Sequence, residues 1–294
     1  FMRESDGRSL QRVERGQQQM CIIYRFIYVD DILAVSHDPE SIMKNLSALY
    51  RLKEDPKTKK GYHTPDRYLG ANVGKFEIPG NTSGKTHWYM SADDYVKSAV
   101  TNVETELDKV GKKLLNKVAS PMTSGYRPEL DVSEELDDGQ ANYYQNLIGV
   151  LRWSVELGRI DIFVQVAQLS SFLAQPRKGH LDQVFHIFAW MKKHSRSKMV
   201  FDDGFIDWKN KFLPVDWSDF YEDAKEPVSE KAPEPRGNEV QLNTFVDADH
   251  AGNQVTRRSH TGVLIFLNKS PILLFSKRQN TVELSLIDIS EPTR

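Results

Sequence analysis

The sequence predicts an α+β fold, on three observations. Near the start, two short apolar runs, CIIYRFIYV and ILAV, flank the acidic pair Asp30-Asp31. Residues 140–194 repeat their apolar side chains at helical spacing in three blocks. From residue 239 onward, three apolar segments are separated by short polar stretches, as in an antiparallel meander.

Residues 1–20 are polar and without clear periodicity, and read as a loop or as a segment of something larger. In residues 21–37, isoleucine, valine, tyrosine and phenylalanine dominate, which favours strand. The reading is a strand, a tight turn at Asp30-Asp31, and a second strand. Ile42, Leu46, Leu49 and Leu52 then recur at helical spacing. Asp38 is the expected N-cap of that helix and Pro39 its first residue. RYLGANVGKFEI reads as one strand, IPGNTSGK as a Gly-rich turn and THWYM as the returning strand. SADDYVKSAVTNVETEL is a helix opened by Ser91, with Asp94 completing an acidic variant of the capping box. Residues 120–139, with Pro121, Gly125 and Pro128, read as loop. Three helices follow, ANYYQNLIGVLRWSVEL, DIFVQVAQLSSFLAQ and HLDQVFHIFAWMKKH, broken at Gly158 and at residues 176–179. Residues 216–237 are acidic and Pro-rich and read as a linker. EVQLNTFVDADHAG, HTGVLIFLNKS and PILLFSKRQN are the closing strands.

Composition bounds the function classes. With 294 residues, 39% hydrophobic and 27% charged, the chain suits one large or two modest globular domains. No apolar run approaches the ~20 residues that cross a bilayer, so no membrane partner is expected. Cys21 is the only cysteine, which excludes an internal disulfide and fits a reducing, intracellular setting. A net charge of −2 gives a nucleic-acid partner no support, yet leaves room for a local basic groove.

Two adjacent aspartates make poor hairpin chemistry, because the favoured turns want Asn-Gly or Asp-Gly. Their mutual repulsion would be offset by a cation. Phosphoryl-transfer enzymes use such carboxylates to hold two metal ions about 3.5–4 Å apart, and Mg²⁺ suits oxygen ligands. A bare Asp-Asp pair is more often a solvated acidic turn; here both flanks are apolar. Tyr28-Val29-Asp30-Asp31 resembles the Tyr-X-Asp-Asp motif of reverse transcriptases, and IYVDDILAVSHDP resembles their copia-type retrotransposon branch.

The resemblance continues in collinear order over residues 22–285. Arg67-Tyr68-Leu69-Gly70 is similar to the strand that follows the catalytic hairpin, and Ser91 with Tyr95-Val96 to the start of the next helix. Ser120-Pro121-Met122 resembles a family loop. Tyr144 to Gly149 with Leu151-Arg152-Trp153 resembles a family helix. Arg159-Ile160-Asp161-Ile162 stands where the family has Arg-Pro-Asp-Ile, and Pro176 with His180 fits a helix start. Trp153 and Trp190, at helical spacing, read as core. Lys192, Lys193, Arg196 and Lys198 are either phosphate contacts or a solvated helix end.

A second site lies at Phe245-Val246-Asp247-Ala248-Asp249-His250-Ala251-Gly252, followed by Arg257-Arg258-Ser259 and Thr261-Gly262. This resembles the opening of the copia-type RNase H domain. The resemblance gives Asp247 a metal-ligand role and gives Asp249 none.

The resemblance implies a partial reverse transcriptase palm over residues 1–80, thumb and connection helices over 81–205, a linker over 206–238 and a truncated RNase H-like meander over 239–294. It implies that Asp30, Asp31 and Asp247 are catalytic metal ligands, with Mg²⁺ as the ion. The implied partners are an RNA template, a DNA primer, dNTPs and the remainder of the Pol polyprotein. The implied location is intracellular, in cytoplasmic virus-like particles or the nucleus. Two departures stand out. The family has another palm Asp on a strand well before the hairpin, and residues 1–20 match nothing there. After residues 277–285, the expected catalytic Glu gives way to LIDISEPTR, in which Glu291 precedes Pro292 and inherits no role. The chain as written is therefore expected to lack both activities. The other readings are a non-catalytic remnant that binds an RNA–DNA duplex or a partner chain, and an unrelated nuclease using Asp247 and Asp249.

Overall fold

The computed structural model describes residues 24–28 (backbone only), 31–35, 38–54, 61–80, 84–208 and 238–282. They combine α-helix with antiparallel sheet and fall into two compact units, residues 1–65 and 66–294.

In the first unit, β1 (Tyr24–Tyr28) pairs antiparallel with β2 (Asp31–Val35), with Tyr28 opposite Asp31. Asp31 is thus the first residue of a strand rather than half of the turn; Val29 and Asp30 lie outside the described residues. Helix α1 spans Pro39–Leu49. The Asp38 side chain accepts the Ser41 N–H at 3.1 Å, and Pro39 takes the first position, where its missing donor costs nothing. Ile42 is buried and Leu46 and Leu52 are half-buried, whereas Leu49 is exposed, so the apolar stripe is used only in part.

The second unit opens with a four-stranded antiparallel sheet in the order β3-β4-β5-β6, made of Arg67–Tyr68, Ala71–Glu77, Thr86–Ser91 and Met199–Phe201. The single strand expected over RYLGANVGKFEI is two strands. Leu69 (φ 52°) and Gly70 (φ 91°) form a two-residue turn that needs positive φ at both positions. Leucine is an unusual choice there, and Leu69 offsets the strain by packing against the core. Strand β6 pairs Val200 with Tyr89 and Met199 with Met90, across more than a hundred residues of sequence that no local pattern announces.

Helices α2 (Asp93–Lys109), α3 (Asp138–Glu156), α4 (Phe163–Leu169) and α5 (Lys178–Lys193) build the core. Val96, Val103, Tyr144, Leu151, Ile162, Leu169, Ile187 and Phe188 are all buried in one cluster. Ser91 does not cap α2. It ends β5, and its hydroxyl donates to the Ser197 carbonyl at 2.8 Å. Asn72 instead donates to Asp93 and Asp94 in the first helical turn, where carboxylates complement the helix dipole. Helices α2 and α3 end in Schellman motifs at glycines with positive φ. Lys112 and Gly111 N–H bond Leu107 and Asp108 carbonyls after α2, and Arg159 and Gly158 N–H bond Ser154 and Val155 carbonyls after α3. The helix expected over residues 161–175 is broken into a 3₁₀ turn (Ile160–Ile162), α4 and a second 3₁₀ turn (Ser170–Phe172).

Three closing strands, β7 (Leu242–Ala248), β8 (His260–Leu267) and β9 (Ser270–Arg278), form an antiparallel meander as expected. One face aligns Val246, Val263 and Phe275 across the strands, with Val246 and Phe275 exposed beside Leu242 and Leu273. Of the expected linker, residues 209–237 lie outside the described residues. Just before it, the Trp208 indole donates to Asn243 at 2.7 Å, and the Ile206 N–H to Gln241 at 2.9 Å. No described helix is long and apolar enough to cross a membrane.

Candidate functional site

Strand pairing decides where the first acidic site sits. The register Tyr28↔Asp31 puts Asp31 at the end of the β1–β2 ladder, with its side chain exposed, while Ile32, Leu33 and Ala34 are half-buried behind it. A carboxylate at a ladder end, on a strand anchored by apolar neighbours, can meet a hydrated cation without first being desolvated. Asp30, its expected co-ligand, lies outside the described residues.

Asp247 lies in the second unit, late in β7 and opposite Gly262 of β8, with an exposed side chain. The absence of a side chain at Gly262 leaves the cross-strand position beside Asp247 open. The rest of this motif builds the loop that follows. Asp249 Oδ1 accepts N–H groups from Gly252 at 3.3 Å and His260 at 2.7 Å. Asn253 caps the turn at Thr256, and buried Ser259 accepts the Ala251 N–H at 3.0 Å. Asp249 is thus a loop-forming residue. Burial holds the His260 imidazole below its ordinary pKa; Asp249 opposes this and Arg278 adds to it. His260, Asp249, Arg278 and Arg127 line a polar cleft of about 220 Å³.

The middle motifs turn out to be packing and anchoring residues. Tyr144 is fully buried, and its hydroxyl donates to the Leu169 carbonyl at 2.7 Å. His180 Nδ1 accepts the Arg177 N–H at 3.1 Å at the start of α5, and its Nε2 meets the Pro128 carbonyl at 2.9 Å. The loop at Ser120 is pinned by His186 Nε2 against the Ser120 carbonyl at 3.0 Å. Arg159, 1% exposed, pairs through two nitrogens with Asp161, which also accepts the Trp190 indole N–H. Trp153 and Trp190 pack against the core, as expected. Of the basic residues near the end of α5, Lys192 pairs with Glu104 and Lys193 donates to the Val118 carbonyl. Lys198 lies over the Phe76 and Tyr89 rings. Three of the four basic residues read as phosphate contacts or a solvated helix end thus have partners within the chain.

One group of metal-capable side chains was not anticipated. Among the described residues, His87, Asp202 and Asp203 bring their ligand atoms within 4.8 Å of one another. Lys85 bonds both Asp203 oxygens at 2.7 Å and holds that carboxyl below the usual carboxylate range. The sequence signal for it is Asp202-Asp203 directly after an apolar triplet, the same pattern as at Asp30-Asp31. His87 joins them only through the long-range pairing of β5 with β6.

No protein-family model and no solved structure matches the chain. A transposon Ty5-1 protein of Saccharomyces cerevisiae is 27% identical over 173 residues, covering 58% of this chain and 48% of that protein. The retrovirus-related Pol polyprotein from transposon RE1 of Arabidopsis thaliana is 24% identical over 287 residues, covering 96% of this chain and 15% of the polyprotein. Its counterpart from transposon RE2 is 23% identical over the same length and share. The chain therefore spans about half of the first relative and a small part of the other two.

Proposed function

Since the chain is homologous to a stretch of copia-type retrotransposon Pol polyproteins, we propose that it is the reverse transcriptase segment of such a polyprotein. In this reading it runs from the Tyr-X-Asp-Asp hairpin, through thumb and connection helices, into the first strands of an RNase H domain. The observation that carries the reading is the ordered set of motifs from Tyr28 to Ser259, within a similarity to the RE1 polyprotein that covers 96% of the chain.

Two of the three proposed ligands, Asp31 and Asp247, fall among the described residues. Asp31 is exposed at the end of an antiparallel hairpin, with Asp30 its neighbour in sequence. Asp247 is exposed late in β7 of an antiparallel meander. In this reading Asp30 and Asp31 hold Mg²⁺ for polymerisation, and Asp247 contributes to a separate Mg²⁺ site for cleaving the RNA strand. All three supply hard carboxylate oxygens, the donor type that Mg²⁺ takes. Bound there, Mg²⁺ would activate the attacking oxygen and offset charge on the leaving group. The partners are an RNA template, a DNA primer and dNTPs, together with the rest of the polyprotein.

Two measurements test the reading. The chain should bind a labelled RNA–DNA hybrid at low salt, with affinity falling steeply as salt rises, because phosphate contacts release counterions. A polyprotein that contains this segment should extend a DNA primer on an RNA template in Mg²⁺, and Asp31→Asn should abolish extension. Absence of hybrid binding at low salt, or extension unchanged in Asp31→Asn, would overturn it.

A further inference from the structure

We propose that His87, Asp202 and Asp203 form a transition-metal site of the zinc class, which clasps β5 to the segment after β6. It is distinct from the carboxylates at Asp30, Asp31 and Asp247 and does not depend on the polymerase reading.

The imidazole is the informative ligand. The His87 side chain is 4% exposed, and its Nδ1 faces Asp202 Oδ1 at 3.8 Å and Asp203 Oδ1 at 3.7 Å. Both separations are too long for a hydrogen bond. They are close to what an ion between the groups requires: ligands about 2.0–2.2 Å from a tetrahedral centre lie roughly 3.4 Å from one another. The ring's Nε2 is buried without a hydrogen-bond partner among the described residues. An ion would give Nδ1 the partner that neither carboxylate supplies at these separations, and would leave the ring proton on Nε2.

The ligands sit on backbone that is already held. His87 is fixed within β5 by its pairing with Phe76 of β4. Asp202 Oδ1 accepts the Gly204 N–H at 2.8 Å, which sets its rotamer. The carbonyls of Asp202 and Asp203 accept side-chain bonds from Ser270 at 2.9 Å and Asn268 at 3.0 Å. An ion here would therefore tie the β3–β6 sheet to the β8–β9 turn. Two lysines neighbour the site: Lys85 on Asp203, and Lys269 at 3.9 Å from Asp202 Oδ2. Both are about half exposed, and exposed ion pairs hold weakly. Lys85 can keep Asp203 Oδ2 while Oδ1 turns to the ion.

The donor set chooses the ion. One imidazole nitrogen with two carboxylates suits zinc and its neighbours, whereas Mg²⁺ and Ca²⁺ take oxygen ligands. Three protein ligands leave a fourth tetrahedral position for water.

The whole chain, stripped of metal with a chelator, is titrated with ZnCl₂ by calorimetry and with CoCl₂ by visible absorption. The expected result is one strongly bound ion per chain and the intense visible bands of tetrahedral Co²⁺, with no displacement by excess Mg²⁺. Asp203→Asn changes an exposed side chain and leaves the fold intact; it should weaken zinc binding at least about 10-fold. Asp202→Asn should do the same, and His87→Gln should abolish the cobalt bands. No zinc binding, displacement by Mg²⁺, or zinc affinity unchanged in both aspartate variants would overturn the proposal. The absence of hybrid binding would overturn the polymerase reading and leave this one standing.

Discussion

Replacing Asp161 by alanine is expected to be among the most damaging single changes in the chain. Arg159 is 1% exposed, and its Nε and Nη2 donate to the two Asp161 oxygens at 2.9 and 2.8 Å. The same carboxylate accepts the Trp190 N–H from α5 at 2.7 Å, so it joins the turn after α3 to a core helix. Alanine removes all of these acceptors and leaves a guanidinium buried without its counter-charge. Breaking one side of a fully buried ion pair costs about 3–5 kcal/mol. The Asp161 side chain is 33% exposed, so water reaches the site and the loss should fall at the low end, about 3 kcal/mol, still a large share of the roughly 5–15 kcal/mol that holds a typical domain together. Asp161→Asn keeps the shape and one acceptor, and should cost about 1.5–3 kcal/mol. Changing Arg159→Met and Asp161→Leu together should recover much of the alanine loss, because the buried guanidinium and its desolvation cost disappear. The assay is urea unfolding of the whole chain, followed by far-ultraviolet circular dichroism.

The same pair gives a pH dependence whose sign is fixed. Burial pushes the Asp161 carboxyl up, but the hydrogen bond and charge of Arg159, helped by Trp190, outweigh it and hold the group below the usual range. Its folded-state pKa is therefore depressed. The stabilisation is fully present above the unfolded pKa of about 3.9 and is lost as pH falls through the folded-state value below that. The stability gap between wild type and Asp161→Asn should narrow in that acid window. An Asp161→Ala variant within about 0.5 kcal/mol of wild type, the range of neutral surface changes, would refute the reasoning.

Two further outcomes follow from the fold. Gly158 sits at φ 100°, and a Cβ added there would lie 3.3 Å from Met199 Cβ; Gly158→Ala should cost about 1–3 kcal/mol in urea unfolding, and a neutral result would mean that the Schellman turn can rearrange. The meander leaves Val246 60% and Leu273 46% exposed on one apolar face, so an isolated 239–294 fragment should show weak amide-exchange protection across Val263–Phe275. Strong protection there would show that three strands suffice without a cover.

Local chemistry is readable from the sequence alone, because it depends on residues a few positions apart. The Asp38-Pro39 start of α1, the glycine stop at Gly158, the hairpin around the acidic pair and the three closing strands all follow from such short spacings. The motif order from Tyr28 to Ser259 likewise points to retrotransposon Pol polyproteins with no help from the fold, since collinear order is a property of the chain itself. Where a residue has two possible partners, the sequence does not decide. Ser91 fits a helix cap, but its hydroxyl goes to Ser197, a partner supplied only when β6 packs beside β5. Leu69-Gly70 lies within an apolar run, and only the pairing of Arg67 with Asn72 shows that the chain reverses there. Tertiary structure also decides that Tyr144, Arg159 and His180 serve packing and anchoring, and that His87 meets Asp202 and Asp203. Most of those encounters join residues tens to more than a hundred positions apart. Periodicity records which face of an element is apolar, and it carries no information about which distant element that face will meet.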